Sequence, residues 1–123
     1  MDQKYEALFT PWKIGNVEIK NRIVMCPMGG TSLFGWFELG GCPFDKEAAK
    51  LFLARPKNNV GLIIPGIAPL RDAFWGKWLW QNPKMFEELK VFMDEIHKTG
   101  AKLFVQLTAG MGRSWAITEL IAP

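Results

Sequence analysis

Three apolar runs in this chain share one grammar and one interval. NRIVMCPMGG (Asn21 to Gly30), VGLIIPGIAP (Val60 to Pro69) and AKLFVQLTAG (Ala101 to Gly110) each hold a continuous hydrophobic stretch that closes on small, Pro or polar residues. A strand with one face in water alternates apolar and polar side chains, whereas a parallel strand covered on both faces is apolar throughout. All three runs are of the second kind. Their centres fall near Met25, Ile63 and Val105, an interval of about 40 residues, which suits repeated strand-helix units. A barrel of eight such units needs roughly 250 residues or more, so a chain of 123 residues supplies only its opening units. The expected fold class is α/β: the N-terminal βαβαβ part of a (β/α)8 TIM barrel, incomplete as a barrel and preceded by a β-hairpin.

The expected layout makes residues 1–123 one N-terminal fragment of such a barrel. In the hairpin, over 8–20, Trp12 to Ile14 and Val17 to Ile19 flank Gly15 and Asn16, which both tolerate positive φ. Strands are expected near 22–28, 60–65 and 101–107. Asp45 is placed to cap a helix over 45–55, which Pro56 ends by disfavouring helical geometry at Arg55. Asn82 and Pro83 supply the cap and first-turn proline of a second helix over 83–98, closed by Thr99 and Gly100. Its apolar stripe is Phe86, Leu89, Met93 and Ile96, widened by Phe92. His97 flanks that stripe and has no second histidine to serve, so it reads as structural.

Composition narrows the class. Hydrophobic residues make up 49% of the chain, with six Trp and nine Phe, so it is built to bury a core. The net charge of +3 comes from 15 basic and 12 acidic residues spread without blocks, which gives no case for nucleic acid or an anionic membrane as partner. Cys26 and Cys42 form no CxxC pair and accompany a single His, so neither a metal site nor a disulfide is expected. Met1 to Glu6 is polar with no apolar stretch behind it, and no run approaches the length of a membrane span, so the cytoplasm is the expected compartment.

In a parallel barrel the ligand sits at the carboxyl ends of the strands. The candidates by position are Cys26, Pro27, Met28, Gly29 and Gly30 after the first strand, Pro65, Gly66 and Ile67 after the second, and Gln106 and Thr108 on the third. These are poor acids, bases and nucleophiles. Gly and Pro do allow close backbone approach, and Gln106 brings two donors and an acceptor to one point, so the set suits holding a flat heterocycle. A Gln in an apolar strand needs its amide satisfied, either by a ligand or as a bridge between strands, and the residues alone leave both open.

NRIVMCPM, then VGLIIPG, then FVQLTAGMGR resemble the N-terminal third of the Old Yellow Enzyme family of FMN oxidoreductases, and the resemblance runs from Leu8 to Arg113. LFTPWKIGNVEIKNRIV is similar to that family's hairpin and first strand, and QLTAGMGR to its branch of 2-enoate reductases and bile-acid-inducible NADH:flavin oxidoreductases. The resemblance implies a TIM-barrel flavoprotein that passes hydride from NAD(P)H through FMN to an alkene activated by a carbonyl. It implies that Pro27, Met28 and Gly29 contact the flavin through backbone, that Gln106 bonds its pyrimidine edge, and that Gly66 lies beside the ring. The implied substrate is a small enone or enoate.

Several positions depart from the family. Gly29 stands where many members carry a Thr or Cys side chain that bonds the flavin carbonyl. Relatives often read TGG after the second strand, but here Pro65, Gly66 and Ile67 leave two registers for that contact, one residue apart. Thr108 and Ala109 replace a Trp-His pair, and Pro56, Asn58 and Asn59 replace a Gly-Gly turn. The family's substrate-binding histidines, Tyr proton donor, phosphate grip and any iron-sulfur cysteines are expected downstream of Pro123, so no catalytic residue is assigned within the chain.

Two further readings remain. The aromatic loops GGTSLFGWFELGGCP and LRDAFWGKWLWQ either line a barrel mouth suited to a flat apolar substrate or pack against other loops or a second subunit, the weightier alternative. The chain by itself is either part of a flavin site or a non-catalytic truncated fragment that self-associates as a homo-oligomer, because strands cut from a barrel leave raw edges.

Overall fold

The computed structural model describes residues 3–28, 33, 44–66, 68–69 and 83–108. It opens with a 3₁₀ helix, Gln3–Phe9, that the sequence did not announce; the helix buries none of its residues, so no apolar periodicity marks it. Arg22 ties this segment down, its backbone N–H donating to the Leu8 carbonyl at 2.8 Å and its Nε to Thr10 Oγ1 at 3.1 Å. The hairpin follows as β1 (Trp12–Ile14) and β2 (Val17–Ile19), paired antiparallel with Ile14 opposite Val17. Gly15 alone takes the positive φ of the turn, at 56°.

Three strands then lie side by side and parallel: β3 (Val24–Met25), β4 (Leu62–Ile63) and β6 (Lys102–Leu103), in the order β3-β4-β6. Val24, Leu62 and Lys102 form one row across the sheet, and Met25, Ile63 and Leu103 the next. The pairing is shorter than the apolar runs suggest. β4 and β6 resume as β5 (Ala68–Pro69) and β7 (Leu107–Thr108), again parallel. Four residues separate Ile63 from Ala68 but only three separate Leu103 from Leu107, so the first path carries one extra residue, a bulge between Ile63 and Ala68.

The crossover helices are α1 (Lys46–Lys57) and α2 (Pro83–Lys98). Asp45 caps α1, one carboxylate oxygen accepting from the N–H groups of Glu47 and Ala48 at 3.0 and 2.9 Å. Pro56 does not end this helix. It sits inside the last turn with its ring buried, because the bias that a proline places on its predecessor is a preference that packing can override. Termination falls to the two asparagines: Asn58 Nδ2 donates to the Ala54 carbonyl at 2.8 Å, and Asn59 takes the left-handed conformation at φ 71°. After α2 the same task falls to Gly100, at φ 76°.

Along α2 the inward stripe is Met85, Leu89, Phe92 and Ile96, flanked by Met93, while Phe86 is 43% exposed. The stripe therefore keeps Leu89 and Ile96 but exchanges Phe86 and Met93 for Met85 and Phe92, a rotation of about half a residue from the one expected. Met85 and Phe92 belong to the spacing that points Ile96 at the sheet, and Phe86 stands off its edge. The core between helices and sheet gathers Leu33, Phe44, Phe52, Ile63, Met85, Phe92 and Ile96, with the Phe44 and Phe92 rings tilted at 5.6 Å between centroids. Across the top of the two helices Lys46 and Glu88 approach to 3.7 Å, an exposed pair of small consequence.

Candidate functional site

Which face of the sheet is free to meet a ligand follows from the core. Met25, Ile63 and Leu103 pack against the helix-side cluster, so by strand alternation Val24, Leu62 and Lys102 point to the opposite, inner face. The ladder continues one step further, through the Ile64 N–H to the Met25 carbonyl and the Phe104 N–H to the Ile63 carbonyl, both at 2.9 Å. Cys26, Ile64 and Phe104 thus form the next inner row. Two residues on stand Met28, Gly66 and Gln106, just beyond the last paired residues Met25, Ile63 and Leu103, at the carboxyl ends of three adjacent strands.

Met28 is 51% exposed, Gln106 is exposed and Gly66 is buried. Pro27 is exposed one position below Met28. Gly29, Ile67 and the aromatic residues of the two long loops lie outside the described residues, as do Asn82 and Cys42. The bulge bears directly on the two registers open at Gly66. Counted from the rows below, Gly66 comes level with Gln106; counted back from Ala68 opposite Leu107, it comes level with Val105. A glycine at that point lets either backbone approach a bound ring closely.

None of Pro27, Met28, Gly66 and Gln106 titrates, and Cys26, next to Pro27 in the chain, is an exposed free thiol. Among the described residues no three His, Cys, Asp or Glu side chains gather as metal ligands, and no helix is long and apolar enough to cross a membrane. Of these four residues only Gln106 has polar side-chain atoms, two donors and an acceptor, and none of the four can move a proton.

Sequence reasoning overlooked Lys20 and Asn21, which act at the other end of the strands. Asn21 is 4% exposed, and its Nδ2 donates to the Asn59 carbonyl at 2.6 Å while its Oδ1 accepts from the Ile23 N–H at 3.1 Å. Lys20 Nζ donates to the Thr99 carbonyl at 2.8 Å. The available signal was a polar residue standing at the head of each apolar run: Asn21, Asn59 and Thr99.

Parallel strands connected in sequence with helices packed on one face make this an α/β protein, a class that places its ligand at the carboxyl ends of the strands. Within that class, the chain belongs to the NADH:flavin oxidoreductase / NADH oxidase family, whose model matches residues 7–119. It is 36% identical over 120 residues to a cinnamate reductase of Clostridium sporogenes, covering 92% of this chain and 17% of that protein. An NADPH dehydrogenase of Listeria welshimeri is 28% identical over 120 residues, covering 94% of this chain and 34% of its own. Among solved structures, an Old Yellow Enzyme from Pichia sp. AKU4542 superposes with a TM-score of 0.62 at 26% identity, over 82% of this chain and 26% of that one. The chain thus spans between about a sixth and a third of the length of these relatives.

Proposed function

We propose that the protein carrying these residues is an FMN-dependent oxidoreductase of the ene-reductase type, drawing on NAD(P)H and reducing alkenes activated by a carbonyl. What supports this reading is the place of Met28, Gly66 and Gln106 just past the paired ends of three adjacent parallel strands, in a chain of the flavin oxidoreductase family. The residues present fit part of an isoalloxazine site: an exposed amide, a glycine flanked by a bulge, and a Pro-Met step whose backbone is accessible. Bound there, FMN would supply the redox chemistry, as cofactors of this kind do. Gln106 would hold the pyrimidine edge, Pro27, Met28 and Gly29 would offer backbone contacts, and Gly66 would leave room beside the ring. The cinnamate reductase likeness favours a small enoate or enone as substrate. No group within residues 1–123 is assigned to substrate binding or proton donation, and the compartment is assigned to the cytoplasm, where nicotinamide donors are supplied.

The test uses the intact protein under anaerobic conditions. Flavin absorbance after reconstitution, its bleaching by NADH or NADPH, and its return on adding an aryl enoate are the expected results; a preparation that takes up no flavin would end this reading. Gln106→Leu keeps the size of the side chain and removes its polar atoms. Two neutral hydrogen bonds of about 1 kcal/mol each correspond to roughly tenfold to thirtyfold weaker FMN binding with little change in stability, because the residue is exposed. Fluorescence titration of FMN reads this directly.

Residues 1–123 produced alone are proposed to self-associate without catalysing anything. Among the described residues the outer edges of β3 and β6 have no ladder partner, and Met28, Val105 and Leu107 expose apolar surface on the sheet. Light scattering is expected to give a mass at least twice the 14.0 kDa of one chain, and a sharp monomer peak would overturn the expectation.

A further inference from the structure

The apolar runs that make the sheet do not specify how its strands align. Leu62 and Ile63 are both buried, so β4 reads the same to the hydrophobic effect in either of two neighbouring registers. A slip of one residue would nevertheless exchange the inner and helix-side faces of the strand and break up the row at its tip. Something other than apolar pattern must choose.

We propose that Lys20 and Asn21 form a register clamp for β3, β4 and β6, and through it act as positioning residues for the row of Met28, Gly66 and Gln106. Asn21, Asn59 and Thr99 each stand three residues ahead of the first paired row, Val24, Leu62 and Lys102. They are thus a row of the same register, and the clamp's bonds run along it: Asn21 Nδ2 to the Asn59 carbonyl at 2.6 Å, and Lys20 Nζ to the Thr99 carbonyl at 2.8 Å. Lys20 also reaches the Pro56 carbonyl at 3.4 Å, so one ammonium serves the carboxyl ends of both helices, where cations are favoured. Met28, Gly66 and Gln106 stand four residues beyond the first paired row, on strands whose lower ends it aligns, with the one extra residue before Ala68 entering above Ile63.

Gly61 makes the choice discriminating. A Cβ at this position would overlap Asn21 Oδ1 and come within 3.0 Å of its Cγ and 3.1 Å of its backbone oxygen. A one-residue slip of β4 in either direction would bring Val60 or Leu62 to that place, and both have side chains that cannot fit. Only one register seats the glycine against the buried asparagine.

The test reads alignment before it reads the cofactor. Cys26 and Ile64 share an inner row on neighbouring strands, close enough in register for a disulfide. In the intact protein carrying Cys42→Ser and Ile64→Cys, oxidation by copper phenanthroline is expected to link positions 26 and 64. Adding Lys20→Met and Asn21→Ala should cut that yield at least about fivefold. The same Lys20 and Asn21 substitutions, made without the cysteine changes, should weaken FMN binding about tenfold or more while the far-ultraviolet circular dichroism stays that of the parent. Asn21→Asp, which keeps the acceptor and loses the donor, should behave like Asn21→Ala, and Lys20→Arg should restore the parental values. If the doubly changed protein does not fold, Lys20→Met alone carries both measurements. An unchanged cross-link yield would overturn the clamp, and a lost cross-link with unchanged FMN affinity would overturn its positioning role. The cofactor arm rests on the flavin reading, but the cross-link does not: a parent that binds no FMN yet loses its cross-link on substitution would refute that reading and the positioning role while upholding the clamp.

Discussion

Gly61→Ala is expected to destabilise the protein by about 3 kcal/mol, a large effect for one methyl group. The cause is steric rather than conformational, since Gly61 is not among the positive-φ glycines. Its missing Cβ leaves the space that Asn21 fills, and Asn21 is itself held by bonds to Asn59 and Ile23. A methyl group there must either move the β3 backbone or expel a buried amide from its partners, and an unsatisfied buried amide is costly. Gly15 provides the contrast: its φ is 56° but nothing lies within 4 Å of an added Cβ, so Gly15→Ala should cost only about 1 kcal/mol, through backbone strain. Denaturant midpoints of the two variants in the intact protein separate the mechanisms. Equal midpoints would show that Asn21 does not sit against Gly61. Combining Gly61→Ala with Asn21→Ala should cost less than the two single changes together, because removal of the asparagine makes room for the methyl.

Phe52→Ala is the other large effect, at about 3 to 5 kcal/mol. Phe52 is 1% exposed in the cluster that joins α1 to β4 and α2, with Ile63, Phe92 and Ile96 as fellow members. Truncation there removes apolar area and leaves a cavity whose walls belong to a sheet and two helices, none of which can collapse independently. The loss should appear as a lowered thermal midpoint together with weaker flavin retention, since the same sheet carries the candidate row. Phe86→Ala, on the same apolar stretch of sequence but 43% exposed, should cost under about 1 kcal/mol. A reversal of that order would place the rotation of α2 where the sequence pattern first suggested it.

Much of the architecture was legible because it rests on local or repetitive signals. Unbroken apolar runs at a regular interval imply buried parallel strands, and the ladders of β3, β4 and β6 are parallel and adjacent. Asp45 ahead of an apolar-periodic segment signals a cap, and its carboxylate does accept two amide protons. Neither inference needs a contact distant in the chain. The end of α1 shows the limit of such signals: Pro56 biases only its predecessor, and the helix runs on through a buried Pro56 to Lys57. Within α2 an 85-89-92-96 stripe and an 86-89-93-96 stripe are both helical, and only the position of the sheet and α1 selects the first.

At the candidate site, residue types and their place at strand tips could be read in order, since apolar runs closing on Pro, Gly or Gln mark where the strands end. Their alignment could not. Register depends on bonds from Lys20 and Asn21 to carbonyls 79 and 38 residues away, and on one glycine shaped to a buried asparagine. The extra residue before Ala68 is equally silent in sequence, because only pairing with the neighbouring path reveals that one stretch is longer than the other. Sequence alone thus determined the kind of sheet, its helical crossovers and the chemistry gathered at its ends, because hydrophobic burial and capping are encoded residue by residue. Tertiary structure decided which residues stand abreast, because continuous apolar strands are energetically indifferent to sliding until specific polar bonds hold them in place.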